Sequence, residues 1–443
     1  MGVSTVKLNG TTLMTVNDTT SVAADVAQGK YFYAADGTKT AGTASGGGGG
    51  GATKKQVNFI DYDGTLLYSY TAQEANALSA LPANPSHTGL TAQGWNWTLA
   101  QIKAHLTAAP DGDVWVGQMY ITQSGNTEID VSMPEGRLSP IMTIAVNGTI
   151  TVDWGDNTTP DTVTGTSLTT QQAVPHTYAS PGDYTIAISV TSGSFSFYGS
   201  SAYLILRKNS TTDQNRVYAN CVQNIRLGSG IAAIGSYAFY HCDSLASITI
   251  PDSVTSIGGR AFYYCYSLAS ITIPDSVTSI STYAFCGCYS LASIAIPDSV
   301  TSIEAQAFYY CYSLSSITIP NSITSINTYA FSSCYSLAII TIPTGVTSIG
   351  SSAFTNGYSL AIITIPTGVT SIGSYAFSTC CGVAEYHFLP TTPPTLNNTN
   401  AFSGIPSDCV MYVPYSADHS VLNTYKTASN WSDYASYMQE EPQ

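Results

Sequence analysis

Leu268 to Ser290 reads LASITIPDSVTSISTYAFCGCYS, and this 23-residue unit recurs through the second half of the chain with little drift. Proline marks it at Pro251, Pro274, Pro297, Pro320, Pro343 and Pro366. Phenylalanine marks it at Phe239, Phe262, Phe285, Phe308, Phe331, Phe354 and Phe377. A fixed short period is the sequence signature of a solenoid, in which each coil covers its open faces with its neighbours. Such stacks usually display binding surfaces, so the repeat by itself turns the functional reading away from catalysis.

Within the unit, Leu268, Ile271 and Ile273 follow the L-x-x-L-x-L strand signature of leucine-rich repeats. Pro274 ends the strand because it has no amide hydrogen to give a ladder. Asp275 and Ser276 supply turn chemistry, and Val277 and Ile280 return the chain to the core. Ala284, Phe285, Cys288 and Leu291 then share one face of an expected short helix. Strands centred on Ile225, Ile248, Ile271, Ile294, Ile317, Ile340, Ile363 and Tyr386 give about eight coils. At about 4.8 Å per rung the stack would be on the order of 35 Å long, with two edges to cap. The first and last coils are the altered ones. Gly228 replaces proline in the first, and Tyr386 and Phe388 replace isoleucine in the last.

The run IGSYAFYHCDSLASITIP, from Ile234 to Pro251, resembles the BspA-like leucine-rich repeats of bacterial surface proteins. Pro393 to Leu396, Ala401-Phe402, Cys409 to Pro414 and Tyr425 to Tyr434 resemble that family's usual ending. The resemblance covers roughly residues 201–443. It implies adhesion or recognition and brings no catalytic residues.

The chain has 443 residues and a net charge of −14, with only 9% of residues charged. No Lys or Arg stands between Arg260 and Lys426. A nucleic-acid partner would need a basic stripe, and an anionic membrane a basic cluster, so neither is expected. No cofactor or metal is expected either. The solenoid surface must be Ser, Thr, Tyr and Asn, which suits neutral glycans or uncharged protein patches. Cys242, Cys265, Cys288, Cys311, Cys334 and Cys380 share the 23-residue register, with Gly357 at the missing step. Positions in register stack inward, so the expectation is a column of buried free thiols rather than disulfides or a metal site. Cys286 and the pair Cys380-Cys381 are the expected exposed exceptions.

The front half divides further. Residues 1–45 resemble a small module of phage and prophage proteins, and 46–55 contain the linker Gly46 to Gly51. Residues 56–135, with VNFIDYDGTLLYSYT and LPANPSHTGLTAQGWNW, resemble the internalin B-repeat, a β-grasp-like module. Asp61 and Asp63 there read as turn residues before a cation site, and Leu99 to Leu106 as a helical stretch. Residues 136–200 hold VDWGD (Val152 to Asp156) and HTYASPGDYTI (His176 to Ile186), which resemble the PKD domain, an immunoglobulin-like β-sandwich. Asp153, Asp156 and His176 there imply turn organisation, not catalysis, and Gly155 and Gly182 read as positions of unusual backbone angle. The leucine-rich-repeat solenoid would span 201–388 and a capping segment 389–443. The fold class is therefore multidomain and mainly β.

Aligned against one another, the coils keep Phe, Leu, Ile and Pro. They vary at the two residues after each Phe and at a column two residues before it. The tyrosines of these positions are the candidate binding surface: Tyr237, Tyr240, Tyr263, Tyr264, Tyr283, Tyr309, Tyr310, Tyr329 and Tyr375. Beside them runs a fixed ladder of Tyr266, Tyr289, Tyr312, Tyr335 and Tyr358, which reads first as coil-on-coil packing.

Met1 to Lys7 shows neither a basic start nor a long apolar run, so no export signal is expected, and no 18-residue apolar span exists. With the phage-like first module this favours a non-enzymatic virion protein, a tail-fibre or receptor-binding component. Its partners would be a host cell-surface glycan or protein and other virion proteins, with a homotrimer as the candidate assembly. A BspA-like cell-surface adhesin is the alternative. A glycan depolymerase is the third reading. It is disfavoured because Asp252, Asp275, Asp298 and Glu304 are the only acids between Ile248 and Pro366, and three of them repeat one turn position.

Overall fold

The computed structural model describes residues 56–442, except 61–65, 88–89, most of 96–113, 123–124, 199–204 and 208–215; before residue 56 it describes only the backbone of four short strands. The chain forms two units, Met1–Lys54 and Lys55–Gln443. In the first, Ser4–Leu8 pairs antiparallel with Thr11–Val16, and Tyr31–Tyr33 with Lys39–Ala41. The glycine linker, Asp61 and Asp63 lie outside the described residues.

The second unit opens with a four-stranded mixed sheet in the order Leu66–Thr71, Gln56–Ile60, Val114–Thr122, Leu90–Trp95. Gln56–Ile60 runs antiparallel to Leu66–Thr71 and parallel to Val114–Thr122. Val57, Phe59, Trp95 and Val116 form its small core, with the Phe59 and Trp95 rings edge to face at 4.9 Å. Thr71 and Glu74 make a reciprocal capping box at the start of the helix Ala72–Ala77. Leu99, Ile102, Lys103 and Leu106 have helical backbone.

Next comes a hydrogen-bonded set of seven strands. Ile141–Asp153 lies between Asp161–Pro175 and Gly182–Phe197, all antiparallel. Thr127–Met133 pairs with Gly182–Phe197 and also with Val222–Arg226. That strand joins this sheet although the sequence reading places it in the preceding module. Gly182–Phe197 ends by pairing in parallel with Ile231–Ile234, so the sheet runs into the first coil of the solenoid and covers its open end. Gly228, in the place of the repeat proline, sits where a Cβ would meet the Gly125 carbonyl oxygen at 2.1 Å. Only glycine admits that approach.

The solenoid has three hydrogen-bonded sides. The first is the leucine-rich strand ladder, seen in Ser247–Thr249, Ser270–Thr272, Ser293–Ala295, Ser316–Thr318 and Ile339–Thr341, all parallel and in register. The second is a short ladder at Ser279–Ile280, Ser302–Ile303, Ser325–Ile326, Ser348–Ile349 and Ser371–Ile372. Between them the proline carbonyl closes a turn, as where the Val277 amide donates to Pro274 O at 3.0 Å. The eight expected rungs are present, from Val222–Arg226 to Glu385–Phe388.

The third side corrects the sequence reading, because the expected helix is absent. Between Ser281 and Cys288 successive amides alternate in where they donate. Ala284, Cys286 and Cys288 close turns onto Ser281, Tyr283 and Phe285 of their own coil. Tyr283, Phe285 and Gly287 donate instead to Ala305, Ala307 and Tyr309 of the next coil, at 2.7–3.1 Å. A helix spends every amide on itself, whereas this arrangement spends half of them on stacking.

Inside, Phe239 through Phe377 form one column with ring centroids 5.2–5.7 Å apart. Phe197 precedes the column and Phe402 follows it. Each of these rings is essentially unexposed, worth roughly 1.5–3 kcal/mol of burial apiece. The cysteine column is buried and free of disulfides, and from Cys265 onward its thiols donate to phenylalanine carbonyls, as Cys265 does to Phe239 O at 3.0 Å. Burial holds these thiols well above their ordinary range. Cys381 is exposed as expected, but Cys286 and Cys380 are buried. Cys286 stands between the left-handed residues Tyr283 and Gly287, and its side chain meets the hydroxyl of Tyr263 on the neighbouring coil.

The C-terminal segment completes the stack and closes it. Thr395–Leu396 extends the second ladder, Val410–Val413 the first, and Ala401 and Ser403 accept from Phe377 and Thr379 on the third. Trp431 is buried over this end and donates to Pro394 O at 2.7 Å. No helix of the described residues is long and apolar enough to cross a membrane.

Candidate recognition surface

The varying positions lie together on the third side. Tyr237, Arg260, Tyr283, Gln306, Tyr329, Ser352 and Tyr375 all have φ between 53° and 59°. His241, Tyr264, Gly287, Tyr310, Ser333, Asn356 and Thr379 all have φ between 57° and 75°. These are left-handed conformations, which cost a non-glycine residue roughly 1–2 kcal/mol. Glycine would remove that cost at every one of these positions, yet Gly287 alone is glycine. The chain keeps side chains, and varied ones, where backbone energy favours none.

The rings fall into two groups. The fixed ladder Tyr266, Tyr289, Tyr312, Tyr335 and Tyr358 has ring centroids 4.6–4.9 Å apart, tilted at Tyr266–Tyr289 and face to face from Tyr289 onward. Its faces are spent on each other, which supports the packing reading, and burial raises Tyr312 above its ordinary pKa. Tyr358, at the end of the ladder, is 44% exposed.

The variable columns are less regular. Tyr240 stacks on Tyr263 at 5.2 Å, Tyr263 lies 4.3 Å from Tyr264, and Tyr309 stacks on Tyr310 at 3.7 Å with a hydroxyl–hydroxyl bond of 2.6 Å. Tyr264 leans across Gly287, where a Cβ would meet the ring at 1.9 Å. Burial raises the hydroxyls of Tyr263 and Tyr309. Arg260 lies between Tyr237 and Tyr283, with its guanidinium carbon 5.4 and 4.5 Å from their centroids. Tyr329 and Tyr375 stand out at 37% and 44% exposure. All nine tyrosines singled out by sequence are therefore on one edge. The contribution of Arg260 was missed there; its place in the tyrosine column was the available signal.

In the seven-stranded sheet, Asp153 accepts from the Gly155 amide, which has φ +77°. Asp156 accepts from Thr158 and lies 2.9 Å from His176, whose ring stacks on Trp154 at 4.6 Å. Burial pushes Asp156 up, but its hydrogen bonds with Thr158 and His176 outweigh that and leave it below the ordinary carboxylate value. These residues organise the turn. Gly182 departs from expectation: its φ is outside the left-handed region, and a Cβ would make only ordinary contact with Tyr184. An open hollow beside them is lined by Asp130, Asp183, Tyr184 and Gln223, and Arg226 is paired with Asp130 and Glu128 at its edge. Among the described residues no group of His, Cys, Asp and Glu is placed to hold a metal ion.

Residues 189–304 and 255–384 match the family model described as the BspA type leucine rich repeat region, in six copies. The repeat region is BspA-type. Similar solved structures include a leucine rich repeat protein of T. pallidum, 30% identical over 42% of this chain and 84% of that one, with a TM-score of 0.35. A leucine rich cell surface protein from Faecalibacterium prausnitzii is 31% identical over 45% and 67%, with a TM-score of 0.27. A leucine-rich repeat protein from Eubacterium ventriosum is 23% identical over 52% and 75%, with a TM-score of 0.30. No curated protein matches the chain.

Proposed function

We propose that this chain is a non-enzymatic recognition protein that presents the turn edge of its BspA-type solenoid to a host cell surface. In this reading it serves as a tail-fibre or receptor-binding component of a phage or prophage particle. The observation that carries the recognition half is the coincidence of variability and backbone cost. Two of the three columns that differ between coils are left-handed, and except at Gly287 they hold Tyr, Arg, Gln, Ser, His, Asn and Thr instead of glycine. Nothing in the packing of the phenylalanine column requires that choice. The tyrosine-rich, charge-poor edge suits a glycan or an uncharged protein patch.

The phage half rests on the resemblance of residues 1–45 to a phage-type module, which would attach the arm to other virion proteins in a homotrimer. The internalin B-repeat-like and PKD-like stretches would then be spacers. A second reading, a bacterial cell-surface adhesin, is favoured by the BspA-type repeat itself. Mass spectrometry of purified particles from a lysate separates the two. The chain in particles supports the first; its absence there, with presence on intact cells, selects the adhesin.

A further inference from the structure

Arg260 occupies a slot that the repeat builds more than once. Along one column, positions 237, 260, 283, 306, 329, 352 and 375 share the same left-handed backbone, one rung apart. Tyrosine stands at every second position: Tyr237, Tyr283, Tyr329 and Tyr375. Two rungs separate consecutive tyrosines, about 10 Å, enough for one flat group between two rings. In the first slot that group is the chain's own guanidinium. It lies 5.4 Å from the Tyr237 centroid and 4.5 Å from that of Tyr283, and Nη1 donates to the Tyr237 hydroxyl at 3.0 Å. In the second slot Gln306 stands between Tyr283 and Tyr329. In the third, the residue between Tyr329 and Tyr375 is Ser352.

Serine is too short to fill what arginine fills. Ser352 is buried at the floor, with its amide donating to Ser374 O at 2.8 Å, while the two flanking tyrosines are the exposed members of the column. The Tyr375 hydroxyl accepts from Asn400 Nδ2 at 3.1 Å, which anchors that wall. No Lys or Arg between Arg260 and Lys426 is available to enter the slot, and the net charge of −14 attracts cations to this protein.

We infer that the Tyr329–Ser352–Tyr375 slot receives an arginine side chain of a partner protein. The guanidinium stacks between the two rings and donates to the Tyr329 hydroxyl, as Arg260 does to Tyr237. Cation–π attraction on both faces selects guanidinium, whose flat, weakly hydrated group stacks where an ammonium does not. This rests on the proposed recognition role and narrows it to a protein partner, adding one charged side chain to the otherwise uncharged patch that the edge would read.

The test uses the full chain and three probes: tetra-arginine peptide, tetra-lysine peptide and a neutral maltotetraose. Arginine peptide is expected to bind more tightly than lysine peptide by on the order of threefold to tenfold. Ser352→Arg, which fills the slot from within as Arg260 does, is expected to abolish that preference without lowering the melting temperature. Should Ser352→Arg fold poorly, Tyr375→Leu removes one wall and is expected to abolish the preference too. Equal binding of both peptides, or a preference that survives both variants, overturns the inference, as does maltotetraose binding displaced by Ser352→Arg. Host-cell binding is measured on the same samples with Tyr309→Ala/Tyr310→Ala. If that binding is lost in the double variant while the peptides bind equally, the slot fails and the recognition reading stands.

Discussion

Two aromatic columns climb this solenoid one rung at a time, and they do opposite things. The phenylalanine column is invariant, unexposed and evenly stacked from Phe239 to Phe377. The column two residues earlier in each coil alternates Tyr with Arg, Gln and Ser, and becomes more exposed toward its C-terminal end. Both sit on the same turn ladder, but only the outward column is left-handed. With that backbone difference goes the way the side chain points. Inward positions answer to packing density, where a methylene is felt. Outward positions answer only to their neighbours on the edge, and here they carry a left-handed backbone that glycine would hold more cheaply.

The comparison can be broken at four points. The largest effect belongs to the inner column. Phe308→Ala removes a ring stacked on both Phe285 and Phe331, and should destabilise the chain by about 3–5 kcal/mol in denaturant unfolding. An outward change such as Tyr329→Ala should cost below about 1 kcal/mol in the same assay. Equal costs would show that the edge is part of the core.

Next is Gly287→Ala, where φ is +75° and the Tyr264 ring occupies the space of a Cβ. A loss of about 1–3 kcal/mol is expected, and Gly287→Ala with Tyr264→Ala should recover part of it. No recovery would mean that backbone strain alone is responsible.

Smaller still is Ser352→Gly. A helix would lose about 1 kcal/mol from that change. A left-handed turn position should be neutral or gain up to about 1 kcal/mol. The sign of the shift in thermal midpoint decides between the two backbones.

The smallest effect lies at the C-terminal end. His387 is held between Glu441 at 2.6 Å and Glu385 at 3.1 Å, and His419 lies 2.7 Å from Glu440. Partial burial works against the charged imidazole of His387, but the two carboxylates outweigh it and raise its pKa above the ordinary 6.5. Its contribution is therefore fully present below pH 6.5 and lost as pH rises through the raised value. Glu440 is shifted down by its bonds with His419 and Ser416 despite slight desolvation, so its contribution is present above 4.5 and lost as pH falls through the lowered value. The terminal strand Met438–Glu440 should be best protected from hydrogen exchange between these limits. Protection that keeps rising above pH 8, after correction for intrinsic exchange rates, would contradict the clamp.

Much of this was legible in the sequence. The period, the strands, the prolines, the inward phenylalanines and the cysteine column all follow from residue spacing alone. The turn ladder was not. Alanine, phenylalanine and cysteine at i, i+1 and i+4 fit a helix as well as they fit alternating turns. The usual cue for a left-handed residue, glycine, appears in these columns only at Gly287. Cys286 looked exposed for the same reason. The pairing of Thr127–Met133 with Val222–Arg226 was also hidden, since it joins strands some ninety residues apart and is set by tertiary contact. On the edge, the tyrosines were legible as a group. That Arg260 fills a slot which Ser352 leaves open required seeing one rung against the next.

The most direct test of the central claim, that the outward tyrosine edge recognises a partner while the inward column only supports it, is host-cell binding by the Tyr329→Ala/Tyr375→Ala chain beside the unaltered one, with melting temperature measured on both. The account predicts a loss of binding of about tenfold or more with the melting temperature nearly unchanged. Undiminished binding by a chain that folds normally would contradict it.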